Sequence, residues 1–120
     1  MDALALLLDR LRPQLRQRPF VLGLAGAQGS GKSTLAAATA LALGRDGWRA
    51  AAVSIDDFYL PRARRQALAA RVHPLLATRG VPGTHDLPLL HDVLGRVRAG
   101  RPVRLPGFDK LADDRLAPQH

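Results

Sequence analysis

Residues 26–33 read Gly-Ala-Gln-Gly-Ser-Gly-Lys-Ser, an order that meets every fixed position of the pattern G-x-x-x-x-G-K-[ST]. The glycines at 26, 29 and 31 free the backbone to curl, so its N–H groups can face inward and approach an anion closely. Lys32 adds an ammonium group, and Ser33 adds a hydroxyl suited to a hard cation such as Mg²⁺. The chemistry these types serve at this spacing is the gripping of a polyphosphate, as in Mg-ATP. Gly26, Ala27, Gln28, Gly29, Ser30, Gly31, Lys32, Ser33 and Thr34 are the candidate nucleotide-binding residues, Lys32 also a catalytic candidate and Ser33 a metal ligand. The motif identifies a bound nucleotide and leaves the reaction open.

A second candidate is the acidic pair Asp56-Asp57. A carboxylate beside an attacking hydroxyl can accept its proton or orient its oxygen, and it can hold Mg²⁺ through water. Either residue suits this role; a solvated turn is the alternative.

These residues need elements to position them. The apolar run Phe20 to Ala25 predicts a strand ahead of the glycine loop, and a helix is predicted behind it to about Leu43 or Arg45, with Gly44 and Gly47 as stop signals. Ala51 to Ile55 reads as a second strand, ending at the acidic pair. Leu4, Leu7, Leu8, Leu11 and Leu15 repeat at helical spacing, with Asp2 as cap and Pro13 as a break or kink. Pro61 opens a helix to about residue 70, and 73–82 reads as irregular. Asp86 or Thr84 caps a helix carrying Leu87, Leu90, Val93, Leu94 and Val97, which Gly100 ends. Val103 to Leu105 reads as a short extended piece, and the tail from Leu111 is left unassigned. Alternating strands and helices predict an α/β fold with a parallel sheet, of the three-layer P-loop type, whose ligands sit beyond the carboxyl ends of the strands. The glycine loop and the acidic pair both fall at such ends.

Composition narrows the class. One domain is expected from 120 residues, with 1–18 as a leading helix and 19–120 as the nucleotide- and acceptor-binding part. There is no cysteine, which excludes disulfides and zinc-thiolate sites. The net charge of +8 comes almost entirely from arginines that are scattered, though Arg62, Arg64 and Arg65 cluster, and aromatics are 4%, too few for base-stacking platforms. Anionic small molecules are therefore the expected partners, with neither nucleic acid nor membrane. No signal peptide or spanning segment is recognisable, so a cytoplasmic location is expected. The chain has no Glu and no Asn, so a Glu base or an Asn base-reader cannot be built from this chain alone. The Asn/Thr-Lys-x-Asp motif of GTPases and the Ser-Gly-Gly-Gln signature of transporter ATPases are absent too. Oligomeric state is left open.

The string Ser54-Ile55-Asp56-Asp57-Phe58-Tyr59-Leu60 resembles the S-x-D-x-F-Y element of the uridine kinase, phosphoribulokinase and pantothenate kinase superfamily. Three further blocks resemble its D-glycerate 3-kinase branch: His73-Pro74-Leu75-Leu76, Arg79-Gly80-Val81-Pro82-Gly83-Thr84-His85-Asp86, and Leu105-Pro106-Gly107-Phe108-Asp109-Lys110. The resemblance implies an ATP-dependent phosphotransferase acting on a small hydroxylated acceptor, D-glycerate first. A uridine- or pantothenate-type kinase, or an ATP-binding module without activity, is the alternative. It implies Asp56 as general base and a Mg²⁺ site, and Asp57, Tyr59, Arg79, His85, Asp86, Asp109 and Lys110 on the acceptor side. Gly107 departs from a basic residue that members often carry. Members are longer, with a further strand that lies between the first two in the sheet and an Arg-rich lid. The fold is accordingly expected to be incomplete at the C-terminus, with its two strands left unpaired.

Overall fold

The computed structural model describes residues 2–15, 19–27 and 29–117. It divides into two compact units, Met1–Val53 and Ser54–His120.

In the first unit, helix α1 (Ala3–Leu15) forms on the leucine spacing and buries Leu8 and Leu11. Asp2 caps it as expected, its Oδ1 accepting the Ala5 N–H at 2.8 Å. Pro13 lies inside the last turn rather than ending the helix, where its missing N–H removes only one bond near a terminus that frays anyway. Helix α2 (Lys32–Arg45) packs against α1 and buries Thr39 and Leu43. The Thr39 hydroxyl folds back onto the Leu35 carbonyl at 2.7 Å, so burial leaves no unmet donor. An exposed ion pair, Arg12 to Asp46 at 3.1 Å, joins the two helices.

The strands expected at 20–25 and 51–55 do not form. Residues 19–27 and 48–54 are irregular, and Val21, Leu22, Val53 and Ile55 are exposed. Among the described residues the parallel sheet is absent, and the sheet present is antiparallel with two strands. A strand exists only by pairing its N–H and C=O groups with a neighbour. Neither segment pairs with a neighbour among the described residues, so each keeps its apolar composition without a ladder.

In the second unit, Ile55–Phe58 is a single 3-10 turn. Helix α3 (Arg62–Arg71) starts at Pro61, whose carbonyl accepts from Arg64 and Arg65. A second 3-10 turn, Pro74–Ala77, lies in the region expected to be irregular and packs on α3. Helix α4 (Leu87–Arg98) is capped by Asp86, whose Oδ1 accepts from Leu89 N–H at 3.1 Å, and not by Thr84. Val93 is its buried apolar anchor. Strands β1 (Phe108–Asp109) and β2 (Asp114–Arg115) form a hairpin, with Phe108 opposite Arg115 and Asp109 opposite Asp114. Val103 to Leu105 belongs to no named strand. The core of this unit holds Phe58, Tyr59, Leu60 and Val93. At its centre is a charged side chain, Arg65, which is 0% exposed.

Candidate functional site

The glycine loop of the first unit has a backbone form that could cradle an anion. Gly29 has φ +80° and Gly31 φ +86°, both in the left-handed region that disfavours any Cβ. Gly31 is the residue before α2, and no side chain caps the N–H groups of the first turn. A helix start with uncapped donors and no acidic residue in its first turn attracts an anion through both the free N–H groups and the helix dipole. Lys32 arches back over the loop, its Nζ donating to the Gly26 carbonyl at 2.8 Å. A Cβ on Gly26 would meet Ser30 Oγ at 2.8 Å, so the loop closes tightly there. Ser30 N–H to the Ala27 carbonyl, 3.1 Å, fixes the turn. Ser33 and Thr34 are exposed in the first turn of α2. Gln28 lies outside the described residues. This set fits a polyphosphate. No group of three or more His, Asp or Glu is arranged to hold a metal among the described residues, so Mg²⁺ here would rest on Ser33 and on phosphate oxygens, the usual mode for this ion.

The second unit carries its own cavity, about 260 Å³, lined by Asp56, Tyr59, Thr78, Arg79 and Lys110. Four of these five are residues the sequence singled out; Thr78 is not. Backbone geometry sets the position of Tyr59. The 58–60 segment bridges antiparallel to 84–86, through Asp86 N–H to the Phe58 carbonyl at 2.6 Å and Leu60 N–H to the Thr84 carbonyl at 2.8 Å. The Tyr59 ring stacks on His85, centroids 4.3 Å apart, and meets Phe108 edge-on at 5.5 Å. Burial, and then the charge and hydrogen bonding of Asp56, raise the Tyr59 hydroxyl above its ordinary pKa, with Arg79 and Lys110 opposing. At neutral pH it is a protonated donor facing a carboxylate. Lys110 Nζ approaches the same carboxylate, 3.3 Å from Asp56 Oδ2.

Asp57 turns to a different task. Its Oδ2 accepts from Ser54 N–H at 2.9 Å while Ser54 Oγ accepts from Asp56 N–H at 3.1 Å, a reciprocal cap that sets the direction in which Asp56 leaves the chain. Asp86 spends Oδ1 on the α4 cap and Oδ2 on Arg115 at 3.1 Å. Asp109 Oδ1 accepts from Leu111 and Ala112 N–H and shapes the hairpin turn. His85 supports the Tyr59 ring, and its Nε2 is buried without a partner among the described residues. So Asp56, Tyr59, Arg79 and Lys110 line one cavity, and Asp57, His85, Asp86 and Asp109 buttress it.

Sequence reasoning noted Arg65 only as one of a cluster with Arg62 and Arg64 and missed its place in the core, where it is fully buried. Its Nε donates to the Leu60 carbonyl at 3.0 Å, Nη1 to the Ala77 carbonyl at 2.9 Å, and Nη2 to the Asp113 carbonyl. It thereby ties the chain just after Tyr59 to the chain just before Thr78 and to the hairpin. The available signal was its place three and four residues before Leu68 and Ala69, the other covered positions of α3.

No protein-family model matches the chain. Among curated relatives, it is 39% identical over 120 residues to the uncharacterized kinase mug58 of Schizosaccharomyces pombe, covering 92% of this chain and 43% of that protein. It is 34% identical to the pantothenate kinase of Nitrobacter hamburgensis, over 84% of this chain and 31% of that one. Among solved structures, D-glycerate 3-kinase from Cryptococcus neoformans var. grubii superposes with TM-score 0.69 at 33% identity, covering 94% of this chain and 43% of that chain. The chain thus spans less than half the length of these proteins. No helix among the described residues is long and apolar enough to cross a membrane. The proteins this chain matches are kinases, among them pantothenate kinases and D-glycerate 3-kinases, and it is similar to their N-terminal part.

Proposed function

We propose that this chain supplies the nucleotide- and acceptor-binding parts of an ATP-dependent kinase for a small hydroxy acid, D-glycerate first. The observation that carries the reading is one cavity holding a carboxylate, Asp56, beside two cations, Arg79 and Lys110. A hydroxy acid offers the matching groups, a carboxylate for the cations and a hydroxyl for the base. The cavity, about 260 Å³, has room for a three-carbon acid.

Each residue then has a role. The N–H groups at Gly29, Gly31 and the start of α2 hold the polyphosphate, and Lys32 Nζ exchanges the Gly26 carbonyl for phosphate oxygens. Ser33 holds Mg²⁺, which when bound neutralises phosphate charge. Arg79 and Lys110 seat the acceptor carboxylate. Asp56 takes the proton from the acceptor hydroxyl as that oxygen becomes the phosphate ester. The Tyr59 hydroxyl orients the Asp56 carboxylate.

The test is a coupled assay of ATP consumption by the intact protein with D-glycerate, pantothenate and uridine as acceptors. Turnover with D-glycerate well above the other two is expected. Turnover with pantothenate alone would favour the second reading, which its kinase relatives support. Nucleotide binding with no acceptor-dependent turnover would reject the kinase reading.

A further inference from the structure

Asp113 has an unusual setting. It is the last residue of the four-residue turn between β1 and β2, and it has φ +56°. That is the left-handed region, which aspartate and asparagine enter more readily than other side chains. Its Oδ1 lies 3.0 Å from Arg65 Nη2 and 3.0 Å from Arg79 Nε. Neither contact is aligned as a hydrogen bond, so this buried oxygen is held between two cations by charge. Both guanidiniums also lie over the Phe108 ring, at 5.5 and 5.3 Å.

The two arginines are not held alike. Arg65 is fully buried and donates to three backbone carbonyls. Arg79 is 29% exposed, lines the acceptor cavity, and has Asp113 as its ion-pair partner. No hydrogen bond among the described residues takes its Nη groups. Two guanidiniums sharing one ring repel unless an anion lies between them. Remove that anion, and the side chain free to move is Arg79.

We propose that Asp113 is a positioning residue for the acceptor: anchored by Arg65, it grips Arg79 at Nε so that the Nη pair is presented to the acceptor carboxylate. The inference rests on the acceptor reading given above. A guanidinium held at Nε keeps its two terminal nitrogens for a planar two-point contact with a carboxylate, which a lysine cannot make.

The test is steady-state kinetics of the intact protein with D-glycerate and ATP. It compares Asp113→Asn, Arg79→Ala and the double variant, with Asp113→Gly as a second substitution that tolerates the positive φ. Each single change is expected to raise the KM for D-glycerate about tenfold, the worth of one charge-assisted contact. The KM for ATP should not move, and Asn and Gly should agree. The double variant should show the same rise of about tenfold rather than about a hundredfold, because Asp113 acts through Arg79. A purely structural Asp113 would shift both KM values or kcat alone, and its effect would persist in the Arg79→Ala background. An unchanged D-glycerate KM in both Asp113→Asn and Asp113→Gly, or effects that multiply, overturns the inference and leaves the acceptor reading intact. An Arg79→Ala variant with unchanged D-glycerate KM, or no D-glycerate turnover by the unsubstituted protein, removes the acceptor reading and the inference with it.

Discussion

Lys110 Nζ lies 3.3 Å from Asp56 Oδ2, and both side chains are substantially exposed, at 64% and 42%. An ion pair in that setting adds little to folding, since water already solvates both charges. Its place is explained by the cavity it lines. Lys110→Met is therefore expected to leave the urea midpoint of the protein nearly unchanged, within about 0.5 kcal/mol. The same variant should raise the KM for D-glycerate about tenfold. Loss of stability without a kinetic effect would assign Lys110 to the fold instead.

Tyr59 is the chain's one tyrosine, so phenolate absorbance reports it alone. Burial and Asp56 raise its pKa in the folded state. The folded state thus favours the protonated phenol. The resulting stabilisation is complete below the ordinary value of about 10 and is lost as pH rises through the raised value. An alkaline absorbance titration should show ionisation above that ordinary value, returning to it in urea. Asp56→Asn should lower the transition only part of the way, because burial is the larger cause. Ionisation of the folded protein at or below the urea value would contradict the geometry around Asp56.

Arg65 ties three carbonyls and one carboxylate. Replacement by Met keeps much of the volume and all of the apolar stem. It leaves the carbonyls of Leu60, Ala77 and Asp113 without that donor. Arg65→Met is expected to destabilise the protein by about 3 kcal/mol, in the range for breaking a buried ion pair from one side. Urea unfolding followed by near-ultraviolet circular dichroism measures it. A cost under about 1 kcal/mol would mean that water or neighbours re-pair those groups easily.

Much of this arrangement could be read from residue order. The glycine loop, both flanking helices and the Asp86 cap followed from local chemistry, in which each signal sits within a few residues of its effect. The segments at 20–25 and 51–55 illustrate the opposite case. Their composition is that of buried strands, but a strand is a relation between two segments, and these have no partner among the described residues. The antiparallel hairpin at 108–115 escaped notice because each strand is two residues long. Its turn is encoded by Asp109 accepting two N–H groups and by Asp113 at positive φ, not by a run of apolar residues. Of the cavity residues, Asp56 was named from its place in the acidic pair, and Tyr59, Arg79 and Lys110 from motif resemblance. Arg65 escaped because a fully buried arginine looks, in one dimension, like any other charge on a basic helix.

Asp114 Oδ1 accepts from Arg62 N–H at 3.0 Å and from its neighbour Arg115 N–H at 2.8 Å. These two bonds, the Arg62 one first, depress its pKa below the ordinary carboxylate value. A depressed folded pKa means stabilisation present above the unfolded value and lost as pH falls through the folded one. Stability should therefore fall as the solution is acidified below about pH 4. Asp114→Asn should weaken that dependence, because the amide does not titrate. Comparing urea midpoints of the two proteins at about pH 7 and about pH 3 checks this. Parallel losses in both would assign the acid sensitivity to other carboxylates.

The glycine loop separates binding from folding most clearly. A Cβ on Gly31 meets no atom within 4 Å, yet φ is +86°, so Gly31→Ala pays only the left-handed penalty, about 1–2 kcal/mol. Lys32→Met removes the ammonium and its single bond to the Gly26 carbonyl, an interaction at a half-exposed position that contributes little to stability. Trp48, the chain's one tryptophan, lies in the same unit, and its fluorescence during urea unfolding should move for Gly31→Ala and barely for Lys32→Met. Calorimetry with Mg-ATP should give the reverse ranking for Lys32→Met, with affinity reduced about a hundredfold, the worth of roughly 2.7 kcal/mol of phosphate contact. Equal nucleotide heats for Lys32→Met and the unsubstituted protein would show that this loop does not hold the phosphates, and the proposed role of every residue in the first unit would fall with it.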